Sequence, residues 1–389
     1  MQYTKSDVLA FIEENDVKFI RLAFCDVLGN TRNISVMPSQ IARVFEQGMP
    51  INAAAVMGDN SRREDTLTLT PNAQTLCVLP WRPQQGRVVR LYCDILDADG
   101  APSAYDARAL LRQAARELKR YAIVLDVGFN SEFYLFEVDE NGKPTYRPHD
   151  EAGYLDIAPL DRGENIRREI CLTLEQMGIV PECSHHEYGP GQNEIDLFPT
   201  QPLASADNLI TYKSVVKTVA ARNGLFASFL PKPSEELAGS ALQVCLHVQC
   251  ADARLAALFE QGAAACAAEC GAYFNPLVNS YIRLKQGDYQ RPYKRRGALL
   301  IGSPDHGANP YILLTLLIRA GIRAIENGGV PQGEAALPET LEQAMVLSQK
   351  SQLVRQALPE LLQTDYMQLL ADSCLDGGAQ REAHFFLHV

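Results

Sequence analysis

Basic residues are the scarce class in this chain, with 36 Lys and Arg against 47 Asp and Glu and a formal charge of −11. Surfaces that bind a phosphate backbone need clustered Lys and Arg, so no nucleic-acid partner is expected. The run Lys294-Arg295-Arg296 is too short to change that. Apolar runs are short too. None would span a bilayer, and Met1 to Asp7 lacks the basic-then-apolar layout of a secretory leader, so no membrane partner is expected. The ten cysteines include no C-x-x-C pair and no His/Cys group at zinc-finger spacing, which argues against a redox motif or a structural zinc and fits a cytoplasmic setting. Cys266 and Cys270, four apart in an Ala-rich segment, read as small buried residues on one helix face. Repeats, low-complexity tracts and Pro/Ser-rich linkers are absent.

A length of 389 residues, 47% of them hydrophobic, admits two domains or one large one with a sizeable core. Lys5 to Asn15 has helical spacing, and Val17 to Phe24, the turn Asp26 to Asn30 and Thr31 to Met37 read as a hairpin. Pro38 to Gly48 reads as a helix. Asn52 to Asn72 is polar and small-residued with no clear period, which predicts a long loop. Cys77 to Trp81 and Arg87 to Asp94 read as strands that close a small mixed domain near Gly100. Ala104 to Arg120 is an amphipathic helix leading into a long strand, Ile123 to Phe136. On that strand Asn130, Glu132 and Tyr134 share one face and Phe129, Ser131 and Phe133 the other. An acid in so apolar a strand is costly unless it is paired or bound to metal. The loop Asp161 to Glu164 is a polar turn with no assigned chemistry. Beyond it, helices over 165–177 and 204–223 and strands over 195–198, 225–230 and 242–248 precede a largely helical C-terminal third.

The most informative stretch is His185-His186-Glu187-Tyr188-Gly189-Pro190-Gly191-Gln192-Asn193-Glu194. Glu187 and Glu194 bracket a Gly-Pro-Gly turn, so the chain can fold back and aim both carboxylates into one pocket. Hard cations such as Mg²⁺ or Mn²⁺ take oxygen ligands of this kind. The plain alternative is a surface hairpin with solvated acids.

Five segments in order then resemble the glutamine synthetase family: Ser131 to Phe136, His186-Glu187 to Glu194, Lys232-Pro233 with Gly239-Ser240, Asn275-Pro276 to Leu284, and Ala308 to Tyr311. The resemblance covers nearly the whole chain. It implies an α+β fold, with a β-grasp N-terminal domain over residues 1–103 and a catalytic domain over residues 104–389 built on a curved antiparallel sheet with helices. It also implies rings of subunits acting on a small-molecule substrate, with ATP phosphorylating a carboxylate before an amine displaces the phosphate, and two divalent ions assisting.

Carried over by position, Glu132, Glu187 and Glu194 match the ligands of the first ion, Mg²⁺ or Mn²⁺. Gly239 and Arg283 match substrate-holding positions, and Arg296 matches one nucleotide-contacting arginine. The second ion's positions are degenerate. Asn130 and Gln243 replace a Glu and a His, and the segment carrying the third ligand is missing. Ile301 stands where a second nucleotide arginine is expected, and Gln290 where the loop should supply a proton-accepting Glu, with Asp288 as the substitute. The bland readings are a structural ion pair for Arg283, and a supporting or strand-capping role for His185 and His186. His247 reads as a wall residue.

These losses fall on the ATP side and spare the acyl side. The leading expectation is a family member that binds one divalent cation and an amino-acid-like or carboxylate ligand, with γ-glutamyl-amide chemistry that is independent of ATP or uses it atypically. One alternative is an ATP-dependent glutamate–amine ligase in which Asp305, His306 or Asp288 replaces the missing ligands. The other is a noncatalytic ring-forming protein.

Overall fold

Asp26 closes the first hairpin by accepting the backbone N–H groups of Leu28 and Asn30 at 3.1 and 2.8 Å in the computed structural model. The model describes residues 3–57, 65–82, 85–286, 291–330, 336–374, 383 and 385–386. The chain divides into two compact units, Met1–Ala109 with Gln176–Gly178, and Leu110–Glu175 with Ile179–Val389.

In the first unit, α1 (Lys5–Glu14) precedes β1 (Val17–Cys25) and β2 (Thr31–Val36). A capping box between Thr4 and Asp7 starts α1. Next come α2 (Pro38–Gln47), β3 (Met49–Asn52), α3 (Ala54–Met57), β4 (Thr66–Pro71), β5 (Cys77–Val78) and β6 (Arg87–Leu96). The sheet runs β2-β1-β6-β4-β3, with β5 on β6 and a parallel β1–β6 pair at its centre. This is the β-grasp arrangement that the sequence resemblance implies. The long loop expected over Asn52 to Asn72 is replaced by helix and strand in its described parts, and residues 58–64 lie outside the described residues. β3 and β4 pair from Met49↔Leu69 to Asn52↔Thr66, and α3 follows β3. Leu67 and Leu69 alternate with threonines and are buried, so the two-residue period was present but masked by small polar partners.

Helix α4 (Ala107–Glu117) runs from the first unit into the second, which continues with β7 (Val124–Val138), β8 (Pro144–Pro148), α5 (Glu164–Gln176), β9 (Pro181–His186) and β10 (Gln192–Thr200). It continues with α6 (Pro202–Arg222), β11 (Leu225–Ser228), β12 (Leu242–Gln249), α7 (Ala253–Ala265), α8 (Gly271–Phe274), α9 (Val278–Gln286), β13 (Tyr293–Arg295) and β14 (Ala298–Ile301). Helices α10 (Pro310–Asn327), α11 (Leu341–Lys350), α12 (Gln352–Ala357) and α13 (Glu360–Cys374) complete it. The antiparallel sheet runs β13-β14-β12-β7-β10-β9, and β7 also carries β8 and β11. Phe129, Phe133, Leu242, Val244 and Ile195 are buried in this unit's core.

Several of the motif residues prove structural. Asn309 caps α10 by accepting the Tyr311 N–H at 3.0 Å, with Pro310 at the first helical position. Asn279 and Lys232 exchange backbone-to-side-chain hydrogen bonds at 2.7 and 2.8 Å, pinning α9 to the Lys232-Pro233 segment.

Candidate metal and substrate site

The site is written in strand register. Glu132 on β7 stands opposite Glu194 on β10, and Glu194 stands opposite His185 on β9. Cross-strand partners share a face, so these side chains form one row across three strands. The adjacent row is Gln243, Asn130, Asp196 and Cys183, taken from β12, β7, β10 and β9. Both rows line one cavity of about 390 Å³, together with Glu187, Tyr154, Tyr188, Gly239 and Arg295.

Glu187 sits past the end of β9, in the turn whose shape the glycines set. A Cβ on Gly189 would come within 2.5 Å of the Tyr134 hydroxyl, and Gly191 has φ +66° with the Leu135 carbonyl 2.8 Å from any Cβ. Gln192 ties the turn to the rest of the cavity. Its amide accepts from the Gly189 N–H at 2.9 Å and donates to Glu132 Oε2 at 2.7 Å and to the Gly239 carbonyl at 3.0 Å. The Ala241 N–H also donates to Glu132 Oε2, at 2.9 Å. His185 Nε2 lies 2.9 Å from Glu187 Oε1.

Behind the turn lies a buried ionic network that the sequence did not reveal. His186 is fully buried, with Nε2 2.9 Å from Asp150 Oδ1 and Nδ1 2.7 Å from the Glu187 carbonyl. Both ring nitrogens face acceptors, so His186 is held as the imidazolium, and its pKa is raised by Asp150 against the opposing pull of burial. Asp150 is held down to about 2, because hydrogen bonds from His186, Gly191 and Arg162 outweigh burial. Arg167 binds Asp161 and Asn193 beside it, with a 2.6 Å bond to Asn193 Oδ1. The Asp161 to Glu164 turn, read as free of chemistry, thus contributes a structural ion pair.

The front row is short of positive charge. Burial first, and then the neighbouring Glu187, raise the Glu132 carboxyl to about 7 even though the Ala241 N–H favours its anion. Burial and Asp196 push Glu194 up to about 10. Carboxylates forced together in this way call for a divalent cation, and an all-oxygen set with a nearby imidazole fits one.

The second row fits less well. Asn130 Oδ1 accepts the Cys245 thiol at 3.1 Å, and Gln243 Nε2 donates to the Tyr293 hydroxyl at 3.2 Å. The chain here forms a tight hairpin, β13–β14, turning at Arg296 and Gly297 with φ of +50° and +83°. In that hairpin Leu300 pairs with Cys245, so a small apolar patch of Cys245, Ala298 and Leu300 lies beside Asn130. Arg295, rather than Arg296, lines the cavity.

Other sequence-based assignments fall elsewhere. Arg283 is fully buried and donates to the Gly302 and Pro304 carbonyls at 3.3 and 3.1 Å, to the Ser303 carbonyl and to Asn275 Oδ1 at 3.1 Å, so its hydrogen bonds brace the segment after β14. Asp305 and His306 are 0% and 1% exposed, and His306 Nε2 meets Ser131 Oγ on the sheet face away from Glu132. They do not line the cavity beside Asn130 and Gln243, so the alternative in which they replace the missing ligands finds no support in their placement. Asp288 and Gln290 lie outside the described residues. Asp196 and Cys183 are among the cavity residues that sequence reasoning missed, with Tyr154 and Arg295. Asp196 and Cys183 each lie two positions from an assigned or weighed residue on the same strand, Glu194 and His185, and that period was the available signal.

Comparisons with known proteins point to one family. A family model described as the glutamine synthetase catalytic domain matches residues 104–296, and one described as the glutamine synthetase beta-grasp domain matches residues 16–98. A glutamine synthetase of Clostridium saccharobutylicum is 35% identical over 416 residues, covering 94% of each chain. One of Staphylococcus aureus strain MW2 is 34% identical over 407 residues, covering 92% of this chain and 91% of its own. Among solved structures, apo GmaS without ligand superposes with a TM-score of 0.86 at 24% identity, covering 99% of this chain and 100% of that one. A GmaS/ADP complex gives 0.84 at 24% identity, covering 96% and 97%.

Proposed function

The chain belongs to the glutamine synthetase family, and from that premise we propose an enzyme of γ-glutamyl-amide chemistry that works with one divalent cation, Mg²⁺ or Mn²⁺, and does not use ATP in the ordinary way. The observation that carries the proposal is the contrast between the two cross-strand rows. Glu132 and Glu194 converge with Glu187, whereas the adjacent row offers two engaged amides, a single carboxylate, Asp196, hydrogen-bonded by the Cys183 thiol, and an apolar patch. Two neutral amides, leucine and one carboxylate would give a second, phosphate-side ion few charged ligands.

When bound, the cation polarises a carboxylate or amide oxygen or activates water. The chain's own groups position everything else. Gln192 and the Ala241 N–H orient Glu132, and the charged His186–Asp150 pair fixes the turn carrying Glu187. Arg295 offers the cavity wall a positive charge suited to a ligand carboxylate. Gly239 contributes backbone there, and Arg283 acts through the loop it braces. The small-molecule ligand is an amino acid or related carboxylate, and subunits self-associate into rings.

A second reading, an ATP-dependent glutamate–amine ligase, draws support from the chain-long 35% identity to a glutamine synthetase and from Asp196, a carboxylate directly opposite Asn130. Calorimetry with ATP and Mg²⁺, with and without glutamate, separates the two. Weak nucleotide binding that is indifferent to glutamate supports the first. Tight, metal-dependent ATP binding coupled to glutamate supports the second.

A further inference from the structure

His185 stands outside the three carboxylates assigned to the cation, yet it is the side chain that closes on two of them. Its Nε2 is 2.9 Å from Glu187 Oε1, and ligand atoms of His185, Glu187 and Glu194 all fit within 4.8 Å of one another. Two ligand atoms about 2.1 Å from a dication and at right angles stand about 3 Å apart, so His185 and Glu187 have the spacing of neighbours on one ion, with Glu194 within reach of the same ion. Glu132 differs, because its Oε2 already receives two hydrogen bonds, from Gln192 and the Ala241 N–H. The ring of His185 is also oriented. Register places it opposite Glu194, and Tyr154 packs edge-on against it with centroids 5.7 Å apart at 84°.

We propose that His185 is a direct ligand of the cation with Glu187 and Glu194, and that this nitrogen favours a transition-metal dication, Mn²⁺ and more strongly Co²⁺, over Mg²⁺. The inference rests on the carboxylate site proposed above. Mg²⁺ is served by carboxylate, carbonyl and water oxygens, whereas imidazole suits the later first-row metals. Neutral His185 ligates through Nε2, leaving Nδ1 to carry the proton.

Mn²⁺ serves as the probe, with the full chain examined by equilibrium dialysis and pulsed EPR. His186 cannot contribute a nitrogen signal, since both of its ring nitrogens are already engaged. The expected result is bound Mn²⁺ with coupling to one imidazole nitrogen. In His185→Gln, Mn²⁺ remains bound, the coupling vanishes, and the preference for Co²⁺ over Mg²⁺ falls by about tenfold or more. Wild-type Mn²⁺ without nitrogen coupling, or coupling that survives in His185→Gln, overturns the role of His185 alone. Unchanged Mn²⁺ binding in Glu187→Gln overturns the carboxylate site beneath it. Should His185→Gln fail to fold, the wild-type coupling decides.

Discussion

Ser131 Oγ and His306 Nε2 lie 2.8 Å apart on the face of β7 opposite the one that carries Glu132. That contact fixes what His306 can do. Burial and the nearby charges of Lys213 and Arg283 hold its pKa well below the usual range, so it is neutral and anchors the segment before α10. His306→Ala is expected to cost roughly 2–3 kcal/mol in chemical denaturation, while Mn²⁺ stoichiometry by equilibrium dialysis stays at the wild-type value. Loss of bound metal would show that His306 reaches the cation after all.

Glu132 makes the metal-free protein sensitive to pH. Its pKa is raised from 4.5 to about 7, so between those values the folded chain holds a proton that the unfolded chain has released. Stability therefore falls as pH rises through that window. Thermal melts in chelator should show this fall, Glu132→Gln should flatten it, and Mn²⁺ should oppose it by favouring the anion. A metal-free melting temperature that climbs from pH 5 to pH 7 through this group would contradict the assignment.

Asp150 and His186 brace the turn that carries Glu187. Asp150→Asn leaves a buried imidazolium without its counter-charge, which typically costs 3–5 kcal/mol, and loosens the turn that holds Glu187. Lower stability should come with at least a severalfold weaker Mn²⁺ affinity. In the wild type, the Asp150 contribution is present above pH 3.8 and lost as pH falls toward about 2.

The row of Asn130 and Gln243 can be given charged ligands. Asn130→Glu with Gln243→His places a carboxylate and an imidazole at cross-strand partners beside Asp196. Dialysis against Mn²⁺ should then count one more ion per chain than in the wild type. An unchanged count would mean that the hairpin and Leu300, rather than the amides, close the second position.

Much of this site was legible because it is built from short local signals. The period of two put Asn130 and Glu132 on one face, and the Gly-Pro-Gly turn announced that Glu187 and Glu194 converge. What stayed hidden depends on register between strands, which no single segment specifies. Asp196 faces Asn130 only because β10 pairs with β7 as it does, and Arg295 rather than Arg296 reaches the cavity because the hairpin turns at Arg296. Asp150, Asp161 and Arg167 come from loops and a helix distant in sequence, so their network with His186 had no local pattern. The strand β4 was taken for loop because threonines alternate with its leucines.

The central claim is that one ion, not two, serves this pocket. Anomalous diffraction from crystals soaked in Mn²⁺ and ATP tests it most directly. The account predicts one strong manganese peak among His185, Glu187 and Glu194 and none beside Asn130 and Gln243. Two fully occupied peaks bridging the triphosphate would contradict it.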